Sequence, residues 1–359
     1  MPPKIIFGEK RFSSLFDELE NTGSAKPLLV CGNHFTKTDY FNLISEKFDA
    51  LQIFTGIEPN PSVESVDKCA EIISSADCDS VIGIGGGSVL DASKVAACLK
   101  GSSKGVMEFY NKINVKEKVP FFSMPTTSGS GAEYTKYSVL TLPDSTKSTL
   151  RSEEFYAKTC IVDPELTYSL PKEITAASGV DAFCQAVESY WSKTATPVTK
   201  CDSTGSMTLS FNALAKAVNE PGADSRHDMA LASITAAKAF DITGTTACHT
   251  LSYAFTKYYG LAHGFAVAIT LPWFLKFYSD SFPMVGNSIA KNLDAVSVDD
   301  AGEKIISLLE LIEAPTRLRD IGAKKQDFEK IVEMSLIQKP NNPKEHSEND
   351  LYNLLDSIF

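Results

Sequence analysis

The stretch Ser80-Val-Ile-Gly-Ile-Gly-Gly-Gly-Ser-Val-Leu-Asp-Ala-Ser-Lys94 carries the main signal for the fold. Its first half is an apolar run typical of a buried strand, and it ends in consecutive glycines. Its second half predicts a helix that begins directly after the glycines. Glycines let backbone N–H groups approach a phosphate, and a helix N-terminus favours negative charge. Ser88 occupies the last position of the Gly-x-Gly-x-x-Gly fingerprint, so a tight turn without a ligand stays an alternative.

A second loop of related composition follows a later strand. It reads Met124-Pro-Thr-Thr-Ser-Gly-Ser-Gly-Ala-Glu133 and is rich in hydroxyl groups and glycines. Thr126 and Thr127 offer hydroxyls to ribose or phosphate oxygens, and the glycines on either side of Ser130 leave room beneath a flat ring. Ligands of open parallel sheets bind at the carboxyl ends of the strands. Two such loops therefore favour a bound nucleotide over a flexible surface loop.

Short β-rich runs alternate with helical runs up to Asp163-Pro164, and helical periodicity dominates afterwards. Alternation of this kind is typical of a parallel sheet covered by helices. The sequence predicts an α/β dinucleotide-binding domain with a parallel sheet over residues 1–164 and an all-α domain over residues 165–359. The predicted strands are Lys4 to Phe7, Pro27 to Cys31, Gln52 to Thr55, Ser80 to Gly85, Pro120 to Met124 and Thr159 to Val162.

Composition narrows the class of protein. The 359 residues suit two domains, and a net charge of −11 argues against nucleic acid or an anionic membrane as a partner. No run approaches the roughly 20 apolar residues of a membrane span, and the first residues do not resemble a secretory signal. The eight cysteines are dispersed without a Cys-x-x-Cys pair. We interpret them as reduced core residues of a cytoplasmic protein.

Four polar residues of the C-terminal half suggest a metal site. Asp181 and Gln185 stand four apart, so on a helix they share one face, and His249 and His263 lie at the two ends of one further segment. A carboxylate and two imidazoles are a common set of ligands for a divalent transition metal. Alternatives stay open: each histidine can be a hydrogen-bonded core residue, and Asp181 can cap a helix.

Five ordered motifs carry a resemblance. The combination of Gly-Gly-Gly-Ser-x-x-Asp-x-x-Lys, Pro-Thr-Thr-x-Gly-x-Gly-x-Glu, Asp-Pro-Glu-Leu-Thr, Gly-x-Asp-Ala and His-x(13)-His-Gly resembles the iron-containing (group III) alcohol dehydrogenases. The resemblance implies a dinucleotide-binding domain followed by a helical metal-binding domain. It places the metal ligands at Asp181, Gln185, His249 and His263. Most members have histidine where this chain has Gln185 and Tyr253. These two differences leave open whether the metal ion is Fe²⁺ or Zn²⁺ and which residue delivers the proton.

Because it has glutamine and tyrosine at these two positions, the chain is similar to one branch of the family, the 2-hydroxyethylphosphonate dehydrogenases or phosphonoacetaldehyde reductases. The resemblance implies reversible hydride transfer between a nicotinamide and a phosphonate-bearing alcohol or aldehyde. A phosphonate carries about two negative charges and needs cations near the metal. Lys136 is the first candidate because the branch tends to have a basic residue there, with Arg151 and Lys257 as further candidates. A solvated surface lysine is the alternative for each lysine.

The resemblance also implies the cofactor site. Gly32 stands where NAD-preferring members often have an aspartate. Without that carboxylate, nothing at this position repels the 2′-phosphate of NADP(H). We therefore expect NADP(H) to serve at least as well as NAD(H). Lys147 matches a family lysine that contacts the cofactor. We also expect a homodimer. The full set of predicted cofactor contacts is Gly32, Gly86, Gly87, Ser88, Asp91, Thr126, Thr127, Ser130 and Lys147.

The mechanism expected from these residues has a metal ion as Lewis acid and Tyr253 as a proton relay. Tyr253 lies one helical turn after His249, and packing in the core is its alternative role. Gln185 offers a weak amide oxygen, either as a ligand or as a hydrogen-bond partner. Competing functions are a general aldehyde or polyol dehydrogenase, a lyase resembling dehydroquinate synthase, and a metal-free binding protein.

Overall fold

The computed structural model describes residues 1–102, 104–144 and 146–359, together with all their side chains except that of Asn111. The chain forms two compact units. The first comprises Met1–Thr127 and Gly131–Thr167, and the second comprises Ser128–Ser130 and Tyr168–Phe359. The main division between the units follows Thr167, whereas the sequence predicts a boundary at residue 164.

A parallel sheet forms the centre of the first unit, with strand order β1-β8-β5-β4-β2-β3. Alternate residues of its buried strands face opposite layers: Leu28 and Val30 pack with one helical layer, and Leu29 and Cys31 with the other. The predicted parallel α/β class is confirmed. The strands of this sheet are β1 Lys4–Phe7, β2 Pro27–Cys31, β3 Gln52–Phe54, β4 Ser80–Gly85, β5 Phe121–Pro125 and β8 Thr159–Val162.

Helices cover both faces of this sheet. The helix predicted after the glycines begins at Gly87 and is α4. The apolar spacing of Val63 to Ser75 also predicts a helix, and this segment is α3. The helix α1 ends at Gly23, whose φ of 69° belongs to the left-handed region that glycine adopts without strain. The helices of this unit are α1 Ser14–Thr22, α2 Asp39–Ser45, α3 Val63–Ser75, α4 Gly87–Ala96 and α5 Met107–Asn111.

An antiparallel hairpin of β6 Tyr137–Thr141 and β7 Lys147–Arg151 was absent from the sequence interpretation. Its pattern gives no signal, because Ser138 is buried while the larger Tyr137 is only partly buried. The hairpin is attached to α4, since the Asp91 carboxylate accepts from Val139 N–H at 2.9 Å and the buried Lys94 ammonium donates to the Tyr137 carbonyl at 2.7 Å.

Among the described residues of the second unit, the regular elements are all helices, as predicted. Its long helix α6 packs against α7, α8 and α10, and one apolar core runs through the unit. The helices are α6 Lys172–Trp191, α7 Pro197–Asn219, α8 Ala223–Thr243, α9 Ala247–Tyr259, α10 His263–Ala268, α11 Leu271–Ser279, α12 Pro283–Asn292, α13 Val298–Leu311, α14 Phe328–Ser335 and α15 Glu348–Ser357.

One alternative that the sequence left open in this unit is wrong. Asp181 does not cap a helix, because α6 begins at Lys172 and Asp181 is deep inside it. The segment from His249 to His263 is divided between two helices. It breaks where Gly260 takes a φ of 65° and ends α9, and His263 is the first residue of α10.

The cysteines are all free thiols, and only Cys201 is exposed. Burial raises the pKa of Cys31 to about 11 and that of Cys98 to about 12, which keeps these thiols protonated and unreactive at neutral pH. We expect iodoacetamide to label the native protein at Cys201 and to label all eight after denaturation. Peptide mapping by mass spectrometry measures this, with Cys201→Ser as the control. Fast native labelling of Cys31 would contradict the expectation.

Membrane insertion was not expected from the sequence. In the part of the chain that the structure describes, every helix falls short of the length and apolar character that a membrane crossing requires.

Candidate functional site

The two glycine-containing loops of the first unit lie side by side. The strands β4 and β5 pair in register, with Gly85 opposite Pro125, so both loops leave the same edge of the sheet. The Thr126 N–H donates to the Gly85 carbonyl at 3.0 Å, and a Cβ on Gly86 would lie 3.4 Å from the Thr127 methyl group. The structure therefore brings the predicted Gly86, Thr126 and Thr127 together.

The N-terminus of α4 points out of the glycine turn. Its first helical hydrogen bond runs from Leu90 N–H to the Gly86 carbonyl at 3.2 Å, so the N–H groups before Leu90 lack helical acceptors. Backbone donors of this kind, at the positive end of a helix dipole, fit a phosphate group. Ser88 lies at this end as predicted, and its Oγ accepts from Asn60 N–H at 3.2 Å.

The other predicted cofactor residues are more dispersed. Gly32 follows β2, which pairs with β4, so it shares the edge with the glycine turn. Lys147 begins β7, where burial lowers its pKa. Ser130 belongs to the second unit. Its neighbour Gly129 packs closely there, because a Cβ added to Gly129 would lie 2.5 Å from the Ser178 carbonyl oxygen.

Asp91 has a clear structural role. Its carboxylate accepts from Val139 N–H and lies 3.2 Å from the ammonium of Lys94, so it is engaged in holding the hairpin on α4. Direct contact between Asp91 and a cofactor stays a prediction.

Two of the three candidate cations lie together on the hairpin. The Lys136 ammonium and the Arg151 guanidinium are each 5.7 Å from the centre of the Tyr137 ring, and Lys136 is 3.4 Å from the Tyr156 hydroxyl. Lys257 differs, because it is exposed in the last turn of α9 and lies 5.9 Å from the centre of the Tyr258 ring.

In the second unit, Asp181, His249 and His263 come together from α6, α9 and the start of α10. One ligand atom of each lies within 4.8 Å of the others. The Asp181 Oδ1 atom is 3.3 Å from His249 Nε2 and 3.9 Å from His263 Nε2. Ligands of a tetrahedral zinc site stand about 3.4 Å apart, given metal–nitrogen distances near 2.1 Å. The spacing of these three atoms fits one ion.

Unpaired buried atoms support this fit. Among the described residues, Asp181 Oδ1, His249 Nε2 and Gln185 Oε1 are buried and make no hydrogen bond. Buried polar atoms without partners are costly, so a missing ligand is the simplest explanation. Gln185 Nε2 donates a hydrogen bond to Asp181 Oδ2 at 3.1 Å. This bond orients the amide and leaves its oxygen available to bind a metal ion. These residues therefore fit a divalent metal ion.

Glu188, which the sequence interpretation did not single out, lies behind His249. Its carboxylate is fully buried and contacts His249 Nδ1. Burial opposes both charges, but the pairing prevails: the Glu188 and Asp181 carboxylates raise the pKa of His249 to about 9, and the pKa of Glu188 falls to about 2. A signal existed in the sequence, because Glu188 follows Asp181 by seven residues and shares its helix face.

The remaining site residues lie on α9. Ser252 Oγ donates to the His249 carbonyl at 2.7 Å and stands 3.4 Å from His263 Nδ1. Its hydroxyl oxygen can therefore accept a hydrogen bond from the His263 Nδ1–H group. Tyr253 follows directly, one turn after His249, and is partly exposed. Its position agrees with either role considered from the sequence.

Comparison with known proteins is consistent with both units. Residues 2–164 match the model of the iron-containing alcohol dehydrogenases, and residues 175–359 match the model of the C-terminal domain of the same family.

Individual relatives align over most of their length. The long-chain-alcohol dehydrogenase 1 of Geobacillus thermodenitrificans is 30% identical, over 94% of this chain and 90% of that protein. The sulfoacetaldehyde reductase of Bilophila wadsworthia is 29% identical, over 99% of this chain and 97% of that protein. The crystal structure of the sulfoacetaldehyde reductase of Bifidobacterium kashiwanohense with NAD⁺ has a TM-score of 0.95 and 32% identity, covering 99% of this chain and 97% of that one.

Proposed function

Because the chain belongs to the iron-containing alcohol dehydrogenase family, we propose that it interconverts phosphonoacetaldehyde and 2-hydroxyethylphosphonate by hydride transfer with NAD(P)H. The family makes it an NAD(P)-dependent, metal-containing alcohol dehydrogenase or aldehyde reductase. The observation that carries the substrate proposal is the pair of cations, Lys136 and Arg151, gathered on the Tyr137 ring.

The metal ligands in this proposal are Asp181, His249 and His263, with the Gln185 amide oxygen as the fourth donor. A divalent ion held there, Fe²⁺ or Zn²⁺, would supply Lewis-acid polarisation of a carbonyl oxygen. Asp181 contributes the negative charge of the set, and both histidines present Nε2 to the same point. The Gln185 amide oxygen is a weaker donor than an imidazole nitrogen, so this set is less electron-rich than one with a third imidazole.

Tyr253 moves the proton in this proposal. Its phenol lies on α9 one turn after His249, and it gives its hydroxyl proton to the alkoxide oxygen as the aldehyde is reduced. The proton is then replaced from solvent, to which the partly exposed ring has access.

Lys136 and Arg151 bind the phosphonate in this proposal. A phosphonate at neutral pH carries up to two negative charges, and two cations match that charge better than they match the single charge of a sulfonate. The Tyr137 ring holds both cations in place through its negative face. In a chain with a net charge of −11, such a local pair is needed to attract a dianion.

Sulfoacetaldehyde is the second candidate substrate, since two of the relatives are sulfoacetaldehyde reductases. It shares the two-carbon aldehyde and the anionic group at the far end. A general aldehyde or polyol dehydrogenase is the third candidate. The family assignment leaves the lyase and the metal-free binding protein without support.

The test of the proposal is a comparison of kcat/KM for phosphonoacetaldehyde, sulfoacetaldehyde and propanal. The protein is loaded anaerobically with Fe²⁺ or Zn²⁺ and assayed with NADPH and with NADH. We expect phosphonoacetaldehyde to exceed propanal by roughly 10- to 100-fold, because a charge-assisted hydrogen bond contributes about 1.5–3 kcal/mol. Equal values for these two aldehydes would contradict the proposed substrate, and a larger value for sulfoacetaldehyde would replace it.

Lys136→Met tests the cation directly. We expect kcat/KM for phosphonoacetaldehyde to fall roughly 10- to 100-fold while that for propanal is unchanged, since methionine keeps the apolar stem and removes the charge. Steady-state kinetics on both aldehydes measures the change. Lys257→Met is the matched control, because this lysine is exposed on α9, and it should change neither value. An equal loss on both aldehydes in Lys136→Met would argue against phosphonate binding.

Gln185→His tests the amide ligand. We expect Zn²⁺ affinity to be retained or to rise by up to roughly tenfold, because imidazole binds a transition metal more strongly than an amide oxygen does. Competition with a chromophoric chelator measures the dissociation constant. His263→Ala is the comparison variant and should lose the metal. A weaker affinity in Gln185→His would mean that the amide acts only as a hydrogen-bond partner of Asp181.

The proposal extends to assembly and location. We infer a homodimer in the cytoplasm, on the strength of the family resemblance in the sequence. Light scattering at micromolar concentration measures the oligomeric state. Fractionation of the source cell measures the location.

A further inference from the structure

Glu188 makes four contacts through two oxygens that have separate tasks. Its Oε1 accepts from Thr246 N–H at 3.1 Å, from Thr246 Oγ1–H at 2.7 Å and from Cys248 N–H at 3.0 Å. Its Oε2 contacts His249 Nδ1. One oxygen therefore caps the N-terminus of α9, where Thr246 makes no side-chain cap of its own, and the other holds the ring of His249.

A carboxylate can only accept hydrogen bonds, so the contact fixes which nitrogen of His249 carries hydrogen. The Nδ1 atom must be the N–H, and in the neutral ring the lone pair is then on Nε2. That atom faces Asp181 Oδ1 at 3.3 Å. The tautomer set by Glu188 is thus the one that a metal ion at Asp181 and His263 requires.

We propose that Glu188 is a positioning residue for the metal site: it locks His249 in the Nδ1–H tautomer and in the orientation that presents Nε2 to the ion. The inference rests on the metal site of the proposed function and is independent of the substrate. Carboxylates in this position raise the basicity of a ligating imidazole as well as orienting it.

A chain of further contacts keeps the Glu188 carboxylate in place. The Trp191 indole N–H donates to Thr246 Oγ1 at 2.8 Å, which directs the threonine hydroxyl hydrogen to Glu188. The ammonium of Lys339 donates to Thr245 Oγ1 at 2.9 Å and stabilises the Glu188 charge. The Asn341 amide donates to the Thr245 carbonyl at 3.0 Å. The C-terminal loop thereby fastens the turn between α8 and α9, on which the position of His249 depends.

Glu188→Gln separates the two tasks. The glutamine oxygen can stay with the three donors of the α9 N-terminus, which places an NH₂ group against His249 Nδ1. His249 must then accept at Nδ1 and carry hydrogen on Nε2, where the lone pair is needed. We expect the Zn²⁺ dissociation constant, measured by chelator competition, to rise roughly 10- to 100-fold.

The control is Thr246→Val, which removes one donor from Oε1 and leaves Oε2 on His249. We expect a lower melting temperature and an unchanged Zn²⁺ dissociation constant. The reverse result, with Thr246→Val losing metal affinity as much as Glu188→Gln does, would reduce Glu188 to a helix cap and overturn the inference.

A second measurement needs no variant. The chain has five histidines, so the ¹⁵N spectrum of the zinc-loaded protein labelled at histidine is simple. We expect one ring to show zinc on Nε2 and an exchange-protected Nδ1–H proton. Coordination of His249 through Nδ1 would overturn the inference. Wild-type protein without metal affinity would overturn the metal site itself, whereas equal affinities of wild type and Glu188→Gln would overturn this inference alone.

Discussion

Asp181→Asn is expected to abolish stoichiometric metal binding and to lower turnover at least about a thousandfold, or about 4 kcal/mol. In the native protein Gln185 Nε2 donates to Asp181 Oδ2, so the asparagine must turn its oxygen to Gln185. Its NH₂ group then faces the two histidines in place of Oδ1, and a donor stands where the ion needs a lone pair. The variant also removes the negative charge of the ligand set.

Elemental analysis of the purified variant and its kcat on the best aldehyde measure the two effects. Asp202→Asn is a control in the same unit, because Asp202 is ion-paired with Lys238 at 3.1 Å and is not among the grouped ligands. It should keep its metal and its turnover. Full metal content in Asp181→Asn would remove this carboxylate from the ligand set.

Gly264→Ala has the second large expected effect. A Cβ on Gly264 would lie 1.8 Å from the Ala177 carbonyl oxygen and 3.1 Å from Asp181 Cβ, and the first of these atoms is backbone that cannot turn away. The helix α10 must move off α6 and carry His263 with it. We expect a loss of about 3 kcal/mol or more in the free energy of unfolding, and loss of the metal.

Urea denaturation of the metal-free protein measures the first effect, and chelator competition measures the second. Gly205→Ala is the matched control, because Gly205 is an exposed residue of α7 with no atom within 4 Å of an added Cβ. There alanine should stabilise the protein by about 0.5–1 kcal/mol through helix propensity. Wild-type stability in Gly264→Ala would contradict the close packing of α10 on α6. Gly264 therefore has a packing role where α10 contacts α6.

The parallel sheet was predictable because buried parallel strands are apolar without interruption and are bounded by glycine and proline. The strand before the glycines, Ser80–Gly85, has the predicted bounds, and so does Val63–Ser75 among the helices. The hairpin was not predictable by the same reasoning. The strand β6 alternates between buried and partly buried positions, but apolar Val139 is among the partly buried ones, so hydrophobicity does not follow the strand period.

The candidate metal site was predictable in composition but only partly in geometry. The spacing of Asp181 and Gln185 places both on one helix face. The meeting of His249 and His263 depends on the break at Gly260 and on the packing of α10 against α6, and both are tertiary effects. Glu188 shares the face of Asp181, yet its partners, Thr246 and His249, come from a distant segment and could not be read from spacing.

Asp181 on α6 is distant in sequence from His249 and His263, which lie on the consecutive helices α9 and α10. An ion shared by them would act as a cross-link, restricting the unfolded chain much as a disulfide does and stabilising the helical unit by mass action. The resistance of the helical unit to unfolding then depends on the supply of metal. In a metal-poor cell, degradation by proteases and loss of activity would set in together.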